Sequence, residues 1–306
     1  MRFKNMRCPT AKSIAAGLFT IVALVGCSSK VDFVAELIAP KSSVDTITLN
    51  DETFSLVTYR TSDTVNPLPI FFIGGSGCTS LRAYLGTYFS AAPEGLEIVG
   101  LEKTGVSDRA TGSTCSDEFW QNYTYDELLR RNIAAIDHIA QRFDVEKIHL
   151  IGTSEGGALA LEIAASTDRV DRLALLGAGA MSQRQELRLL SDERAQGQEI
   201  ESVFARIDAN PQSVEQTELG LPHRYWASIL DHDPRDFAPN VSAPTLIIIG
   251  QNDQNVPVAS AQLADVLIKN STLTIWPYAN HTFDTPSGNQ RDAVVSMAVR
   301  FVIGAH

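Results

Sequence analysis

The sequence has few cysteines, few basic residues and no repeats, and each of these features excludes a class of protein. Four cysteines in 306 residues are too few for a small scaffold that depends on disulfide bonds. Lys and Arg, 25 together, are outnumbered by 36 Asp and Glu, so neither nucleic acid nor an anionic lipid surface is an expected partner. Internal repeats and low-complexity segments are absent, which favours one large globular domain over a repeat array.

Long hydrophobic runs are also missing. The apolar stretch over residues 14–25 has twelve residues, whereas a helix that crosses a bilayer needs about 20. Four basic residues and no acidic residue come before it: Arg2, Lys4, Arg7 and Lys12. A positive start followed by a short apolar segment predicts a secretory signal peptide.

The end of that stretch, Leu24-Val25-Gly26-Cys27, resembles the lipobox of bacterial lipoproteins. The resemblance implies that residues 1–26 are a lipoprotein signal peptide, that Cys27 is acylated, and that residues 27–43 form a lipid-anchored N-terminus and tether. Ser28 is similar to the residue found here in lipoproteins sorted to an outer membrane. We therefore expect an exported, membrane-anchored protein that faces the periplasm or the cell surface. An ordinary signal peptide cut nearby is the alternative.

Loss of the signal peptide would make the chain more acidic. Residues 1–26 contain four basic residues and no acidic one, so their removal changes the net charge from −11 to −15. The remaining 280 residues are enough for one domain with a substantial core, which we place at residues 44–306.

The most informative motif is Gly152-Thr153-Ser154-Glu155-Gly156, a Gly-x-Ser-x-Gly sequence. An apolar run over 148–151 precedes it and a helical pattern follows, which predicts a strand, a sharp turn and a helix with Ser154 at the turn. Glycine permits the close backbone approach that this turn needs, and the serine hydroxyl is then exposed beyond the strand. Ser154 is therefore our candidate nucleophile, with an ordinary turn serine as the alternative.

A base and an acid follow in the chain. Asp253 comes after the β-branched run 245–250, and His281 comes after the strand-like run 273–276. The carboxyl ends of parallel strands meet at one edge of a sheet, so we expect these side chains to converge on Ser154. His281 would take the serine proton, and Asp253 would orient and stabilise the imidazolium.

Other assignments of the acid and base stay open. Asp253 could instead cap a helix over 259–268, and the acid would then be one of three nearby aspartates: Asp231, Asp233 or Asp236. Among the other histidines, we interpret His138, His149 and His306 as structural. Two more, His223 and His232, lie in an inserted region, at the surface or in a pocket.

The order Ser154, Asp253, His281 and the three sequence contexts resemble the α/β-hydrolase family over about residues 44–305. The resemblance implies a mostly parallel central sheet flanked by helices, and a serine hydrolase that forms an acyl-enzyme without metal or cofactor. A fourth similar segment is strand 68–73, which is followed by the glycine-rich loop 74–78.

This loop would supply the oxyanion hole. Many family members have a histidine where this chain has Ile73, but that histidine is not the hydrogen-bond donor. We expect the N–H of Gly75 or Ser76, paired with the N–H of Glu155, to be the donors. The Glu155 carboxylate itself either binds a substrate amine or pairs with Lys103 or another base.

Apart from Cys8 in the leader and Cys27 at the lipid site, the cysteines are Cys78 and Cys115, which lie in loops that reach the same edge of the sheet. Disulfides persist in exported proteins, so we predict that these two residues are bonded. Two free thiols are the alternative.

Elsewhere the pattern predicts an opening hairpin of strands 44–50 and 53–60, and a helix over 124–143 that begins with a capping box. Residues 290–304 are predicted to form a final helix. Between residues 181 and 240 the alternation of strands and helices lapses, although 183–207 has a helical pattern. In this family an insertion at this place forms a small helical cap.

Three cap residues, His223, Tyr225 and Trp226, are candidates to line a substrate pocket, although an aromatic cluster that holds the cap together is an equal interpretation. We expect acyl esters of small or medium size as substrates. Short peptides, cleaved by an aminopeptidase or amidase, are the alternative. A second alternative is a lipoprotein of the same fold that binds a ligand but has no catalytic activity. The sequence leaves the oligomeric state open.

Overall fold

The computed structural model describes Ile38 and residues 41–63, 68–194 and 196–305. The predicted signal peptide, the lipid site at Cys27 and most of the predicted tether lie outside these residues. Within the described ranges, no helix combines the length and the apolar character that a membrane crossing requires.

Eight strands of the described chain form one central sheet, in the order β1-β2-β4-β3-β5-β6-β9-β10. The first two strands are antiparallel to their neighbours and the other six are parallel. The strands are β1 (Ser43–Leu49), β2 (Glu52–Arg60), β3 (Ile70–Ile73), β4 (Glu97–Leu101), β5 (Ile148–Thr153), β6 (Val170–Leu176), β7 (Thr217–Glu218), β8 (Leu221–Pro222), β9 (Thr245–Gly250), β10 (Ser271–Trp276), β11 (Asp284–Thr285) and β12 (Gly288–Asn289). The four shortest strands form two separate hairpins.

Helices cover both faces of the sheet. They are α1 (Leu81–Tyr88), α2 (Asp117–Asn122), α3 (Tyr125–Arg142), α4 (Glu155–Ser166), α5 (Gln183–Glu193), α6 (Gly197–Ala209), α7 (His223–Ile229), α8 (Val258–Leu267) and α9 (Arg291–Val302). Side chains alternate along each strand, so Phe71 faces one core and Phe72 the other. The core on one face includes residues of α3, α4 and α8, and the core on the other includes residues of α1 and α9. This is the mostly parallel, helix-flanked sheet that the sequence predicts.

The inner parallel strands β3, β5 and β9 are mostly apolar because both of their faces are buried. Every residue of β9 is buried, for example, and the run 245–250 predicts its bounds correctly. The opening hairpin is also present, but its turn lies at Asn50 and Asp51, one residue earlier than predicted. Both turn residues have positive φ, a conformation that Asn and Asp tolerate in two-residue hairpin loops.

One local prediction was wrong. Thr124 stands at the start of α3, but among the described residues its side chain makes no capping bond. The first N–H of the helix, on Tyr125, instead lies 2.9 Å from the hydroxyl of Ser228 in α7. The helical pattern over 183–207 is confirmed, and it forms two helices, α5 and α6, that pack against each other. A fold-back of this kind buries the apolar sides of both helices, whereas one straight helix would leave part of its apolar side in solvent.

The helices α5, α6 and α7 and the hairpin β7–β8 lie between β6 and β9 in the chain, at the predicted place of the insertion. We call this segment, residues 181–240, the cap.

Candidate active site

Ser154 lies in the sharp turn between β5 and α4. Its backbone has φ 54° and ψ −123°, in a region that non-glycine residues rarely occupy. Two hydrogen bonds hold it there: its N–H donates to the carbonyl of Leu176 at 2.8 Å, and its carbonyl accepts from the N–H of Gly157 at 2.8 Å. The strained turn directs the residue beyond the strand, where a substrate can reach the hydroxyl.

The glycines of the motif are required by close packing. A Cβ atom at Gly152 would overlap the carbonyl oxygen of Gly156, and a Cβ at Gly156 would overlap the carbonyl oxygen of Ile73. The start of α4 therefore packs directly on the ends of β5 and β3. A substitution at either glycine would displace Ser154 relative to the loop after β3.

The side chains of Ser154, His281 and Asp253 form a continuous hydrogen-bonded chain. His281 Nε2 lies 3.0 Å from Ser154 Oγ, and His281 Nδ1 lies 2.8 Å from Asp253 Oδ2. The Asp253 side chain is fully buried, whereas that of His281 is 18% exposed. Three sequence-distant residues thus meet at the carboxyl edge of the sheet.

Asp253 is oriented by its own loop. Its Oδ1 accepts hydrogen bonds from the N–H groups of Asn255 and Val256, both at 2.9 Å, so it binds the turn before α8 rather than capping that helix. The three alternative aspartates lie elsewhere, with Asp231 against Arg184, Asp233 against Arg235 and Asp236 at the end of a 3-10 helix.

Gly177 was missed by sequence reasoning. It follows β6 with φ +60°, and a Cβ there would lie 3.1 Å from Cε1 and 3.3 Å from Nδ1 of His281. The glycine therefore leaves room for the imidazole. Its place directly after a predicted strand was the only signal for this role.

The loop after β3 passes close to Ser154. A Cβ at Gly75 would lie 3.4 Å from Cβ of Ser154, and Ser76 lines the same cavity as Ser154. The next residue but one, Cys78, is bonded to Cys115, which confirms the predicted disulfide.

Glu155 pairs with Lys103, one of the two interpretations that the sequence left open. Lys103 Nζ lies 2.7 Å from Glu155 Oε2, and it also donates to the carbonyls of Gly75 at 2.7 Å and Gly77 at 3.2 Å. The Tyr123 hydroxyl donates to Glu155 Oε1 at 2.6 Å and accepts from the N–H of Gly77 at 3.0 Å. Both polar side chains therefore tie the helix start at Glu155 to the loop that the sequence predicts as the oxyanion loop.

A tyrosine pair completes this cluster. The rings of Tyr123 and Tyr225 stack with centroids 4.6 Å apart. Burial, and then the nearby Glu155 carboxylate, raise the pKa of both phenols well above the usual range, so both remain neutral.

A cavity of about 330 Å³ lies between Ser154 and the cap. Tyr225 and Trp226, two of the three predicted pocket residues, line it and also pack on each other with ring centroids 5.3 Å apart. The third, His223, was wrongly placed: it is buried outside the cavity lining, 3.3 Å from the carbonyl of Asn210. His232, in contrast, lines the cavity and lies 2.7 Å from the Glu162 carboxylate.

The cavity wall contains a buried acid, Glu186, that sequence reasoning did not identify. Its carboxylate accepts from the hydroxyl of Ser260 at 2.6 Å and from the amide of Gln183. Burial, with a smaller effect from the charge of Asp253, raises the pKa of Glu186 to about 8. At neutral pH this side chain is therefore largely protonated. One acidic residue in a charged helical segment carries no sequence signal for such a position.

A comparison with curated proteins finds no match. Several solved structures share the fold at low identity. Est1E from Butyrivibrio proteoclasticus is 16% identical, with a TM-score of 0.60 over 86% of this chain and 98% of that one. A proline iminopeptidase from Mycobacterium smegmatis is 18% identical, with a TM-score of 0.56 over 86% of this chain and 100% of that one. A meta-cleavage product hydrolase from Pseudomonas fluorescens is 21% identical, with a TM-score of 0.55 over 86% and 98% of the two chains.

The family comparison is more specific. The model of the acetyl xylan esterase family, AXE1, matches residues 116–300. This range contains Ser154, Asp253, His281 and the whole cap, and it spans more than half of the sequence. The chain therefore belongs to the acetyl xylan esterase family of α/β-hydrolases, and it is a serine hydrolase of the esterase type.

Proposed function

We propose that Ser154, His281 and Asp253 are the catalytic triad of this esterase, and that it cleaves acyl esters through an acyl-enzyme on Ser154. The observation that carries the proposal is the continuous chain of hydrogen bonds from Asp253 through His281 to Ser154, at 2.8 Å and 3.0 Å. Both distances are within the range for a nucleophile, its base and the group that orients the base.

The reaction follows from this arrangement. Ser154 Oγ attacks the acyl carbon while His281 Nε2 takes its proton, and the buried Asp253 carboxylate stabilises the resulting imidazolium. The tetrahedral intermediate carries its negative charge on the former carbonyl oxygen. When it collapses, His281 returns the proton to the departing alcohol, and water then cleaves the acyl-enzyme by the same steps.

The oxyanion would bind the N–H of Glu155, at the start of α4, and the N–H of Gly75 or Ser76. The closeness of Gly75 to Ser154 and the position of Ser76 in the cavity wall support this assignment. Such a donor typically contributes about 3 kcal/mol to lowering the barrier of acyl transfer.

The hydrogen bonds and the burial of Glu155 favour esters, rather than peptides with a free amino terminus, as substrates. Its carboxylate is held by Lys103 and Tyr123, and its side chain is 3% exposed, so it is not presented to a substrate amine.

The test is labelling of the full-length protein with a fluorophosphonate, together with hydrolysis of p-nitrophenyl esters. We expect Ser154→Ala and His281→Ala to abolish labelling and turnover without changing the circular dichroism spectrum. The control is Ser202→Ala, which removes an exposed serine hydroxyl from α6 and should leave both unchanged. Labelling that survives in Ser154→Ala would show that the nucleophile is misassigned.

We also propose that the protein is exported and anchored to the outer membrane through acyl chains on Cys27, where it faces the periplasm or the cell surface. The lipobox-like Leu24-Val25-Gly26-Cys27 supports this, as does the Cys78–Cys115 disulfide, because such bonds persist in oxidising compartments. Cells fed an alkyne fatty acid should label the wild type but not Cys27→Ser, and only the wild type should sediment with membranes. Equal labelling of both would contradict the anchor.

A further inference from the structure

The cavity above Ser154 is lined mainly by apolar side chains on the side of the cap. Its aliphatic side chains come from α5, α6, α7 and the hairpin β7–β8, and five of the six named below are at most 7% exposed. They are Leu187, Leu190, Ile200, Val203, Leu221 and Ile229. Exposed polar residues of the lining, such as Gln196 and Glu199, lie where the cavity opens to solvent between α5 and α6. The interior is therefore suited to an aliphatic chain.

The cavity is larger than an acetyl group requires. Its volume is about 330 Å³. A water-sized group occupies about 30 Å³ of liquid, and a methylene group is of similar size, so the cavity has room for roughly ten of them. An acetyl group would fill only a small part and would leave apolar walls in contact with water, which is unfavourable.

The position of His281 indicates which half of an ester enters the cavity. His281 protonates the departing alcohol in the proposed mechanism, so the alcohol must lie on its side of Ser154. Among the described residues that line the cavity, Ser76, Ser154 and Glu155 are present and His281 is not. The cavity therefore extends from the oxyanion side of the nucleophile, where the acyl group lies.

The acidic groups in the wall near Ser154 do not oppose an apolar chain. The charge of Glu155 is compensated by Lys103 at 2.7 Å. Glu186 is hydrogen-bonded to Ser260 and Gln183, and its burial keeps it largely protonated at neutral pH. Arg194 lies only partly buried and donates to the carbonyl of Gln254 at 2.8 Å.

We propose that the cavity under the cap is an acyl-binding pocket for medium-length aliphatic chains of about six to ten carbons, and that this esterase prefers such acyl groups to acetyl. The proposal rests on the proposed function, because it assumes an acyl-enzyme on Ser154. It departs from the substrate that the family description names, since an acetyl group would fill only a small part of this pocket.

The first experiment measures kcat/KM of the full-length protein, in one detergent, for p-nitrophenyl acetate, butyrate, hexanoate and octanoate. Burying one methylene contributes about 0.8 kcal/mol, or about fourfold, so the rise over several methylenes should be large. We expect octanoate to exceed acetate by at least about tenfold, and a smaller ratio would overturn the proposal.

A second series distinguishes the two halves of the ester. Acetate esters of ethanol, butanol, hexanol and octanol keep the acyl group constant and lengthen the alcohol. We expect kcat/KM to change little along this series, because the alcohol lies outside the pocket. A rise with alcohol length, without a rise along the acyl series, would assign the cavity to the alcohol and overturn the proposal.

A variant that fills the pocket, compared with the same substitution outside it, tests the assignment of the cavity. Val203→Trp places a large side chain in the cavity wall of α6, and we expect it to lower the octanoate-to-acetate ratio by at least about tenfold. The control, Val266→Trp, makes the same change on α8 at a residue that is 79% exposed, and should leave the ratio unchanged. An unchanged ratio in Val203→Trp would also overturn the proposal. If that variant does not fold, Leu190→Phe makes a smaller change in the same wall.

Failure of the proposal is distinguishable from failure of the proposed function. Ester hydrolysis that requires Ser154 but is fastest for acetate would refute only the acyl pocket. Absence of Ser154-dependent hydrolysis for every ester would refute the proposed function itself.

Discussion

A single ammonium group, that of Lys103, contacts three acceptors near Ser154, the proposed nucleophile. It contacts the Glu155 carboxylate and the carbonyls of Gly75 and Gly77. In a planar peptide the carbonyl and the following N–H point in opposite directions, so fixing the Gly75 carbonyl also fixes the N–H of Ser76. Lys103 is therefore a positioning residue for the loop, not a group that touches substrate.

Substitution of Lys103 tests this role. Lys103→Met leaves the buried Glu155 carboxylate without its cation, a loss that costs about 3–5 kcal/mol in buried pairs, and it releases two carbonyls of the loop. We expect the free energy of unfolding to fall and kcat for ester hydrolysis to drop on the order of tenfold to a hundredfold, with a smaller change in KM. Urea unfolding and steady-state kinetics measure the two effects.

The double variant Lys103→Met/Glu155→Gln separates positioning from charge compensation. It removes the unpaired charge, so stability should recover while kcat stays low because the carbonyls of Gly75 and Gly77 are still unheld. Recovery of kcat together with stability would mean that Lys103 acts only by neutralising Glu155.

At the scale of elements, the site is assembled where β3, β5, β6, β9 and β10 end. Each loop there contributes one part: Gly75, Ser154, Gly177, Asp253 and His281. The loop after β3 is additionally tied to the loop after β4 by the Cys78–Cys115 disulfide and by a bridge between Thr79 and Thr111. The disulfide thus joins the proposed oxyanion loop to the segment that also carries Lys103 at its start.

Removing the disulfide should destabilise the fold measurably. The two cysteines are 37 residues apart, and the chain-entropy model assigns about 4 kcal/mol to closing such a loop. We expect Cys78→Ala/Cys115→Ala to lower the free energy of unfolding in urea by roughly that amount. Wild type reduced with dithiothreitol should unfold like the double variant. Equal stability of the variant and the oxidised wild type would contradict the prediction.

At the scale of the whole molecule, buried acids make stability depend on pH. Burial raises the pKa of Glu186 to about 8 and that of Glu102 to about 7, whereas both ionise near 4.5 when the chain is unfolded. Between these values the folded state binds more protons than the unfolded state. The free energy of unfolding must therefore fall as pH rises from about 4.5 to about 8. The hydrogen bond to Glu162 raises the pKa of His232, so this residue also makes the free energy of unfolding fall as pH rises. Burial lowers the pKa of His149, which has the opposite effect.

Glu186→Gln tests this dependence, because glutamine keeps the shape of the neutral acid and cannot ionise. We expect the decline in the free energy of unfolding between pH 5 and pH 8 to be shallower in this variant, as measured by urea unfolding at each pH. The exposed Glu215→Gln is the matched control and should reproduce the slope of the wild type. An identical slope in Glu186→Gln would show that Glu186 ionises alike in the folded and unfolded states.

Much of the fold was predictable because local patterns and the tertiary structure agree. Buried parallel strands require continuous apolar runs, and the run at 245–250 is β9 itself. Where tertiary contacts replace local ones, prediction failed. Thr124 makes no capping bond, and Ser228 of α7 instead accepts from the N–H of Tyr125. The predicted helical segment 183–207 is present, but the sequence pattern did not show that it divides into α5 and α6.

The sequence by itself determined the class of fold, the residues proposed as nucleophile, base and acid, and the pairing of Cys78 with Cys115. These depend on periodicity, on the Gly-x-Ser-x-Gly turn and on the order of motifs, all of which can be recognised along the chain. Only the tertiary structure decided that Lys103 holds the loop after β3, that Gly177 makes room for His281, and that Glu186 is buried in the wall of the cavity under the cap. The physical reason is that these properties arise from distances between sequence-distant groups and from burial, which no local pattern encodes.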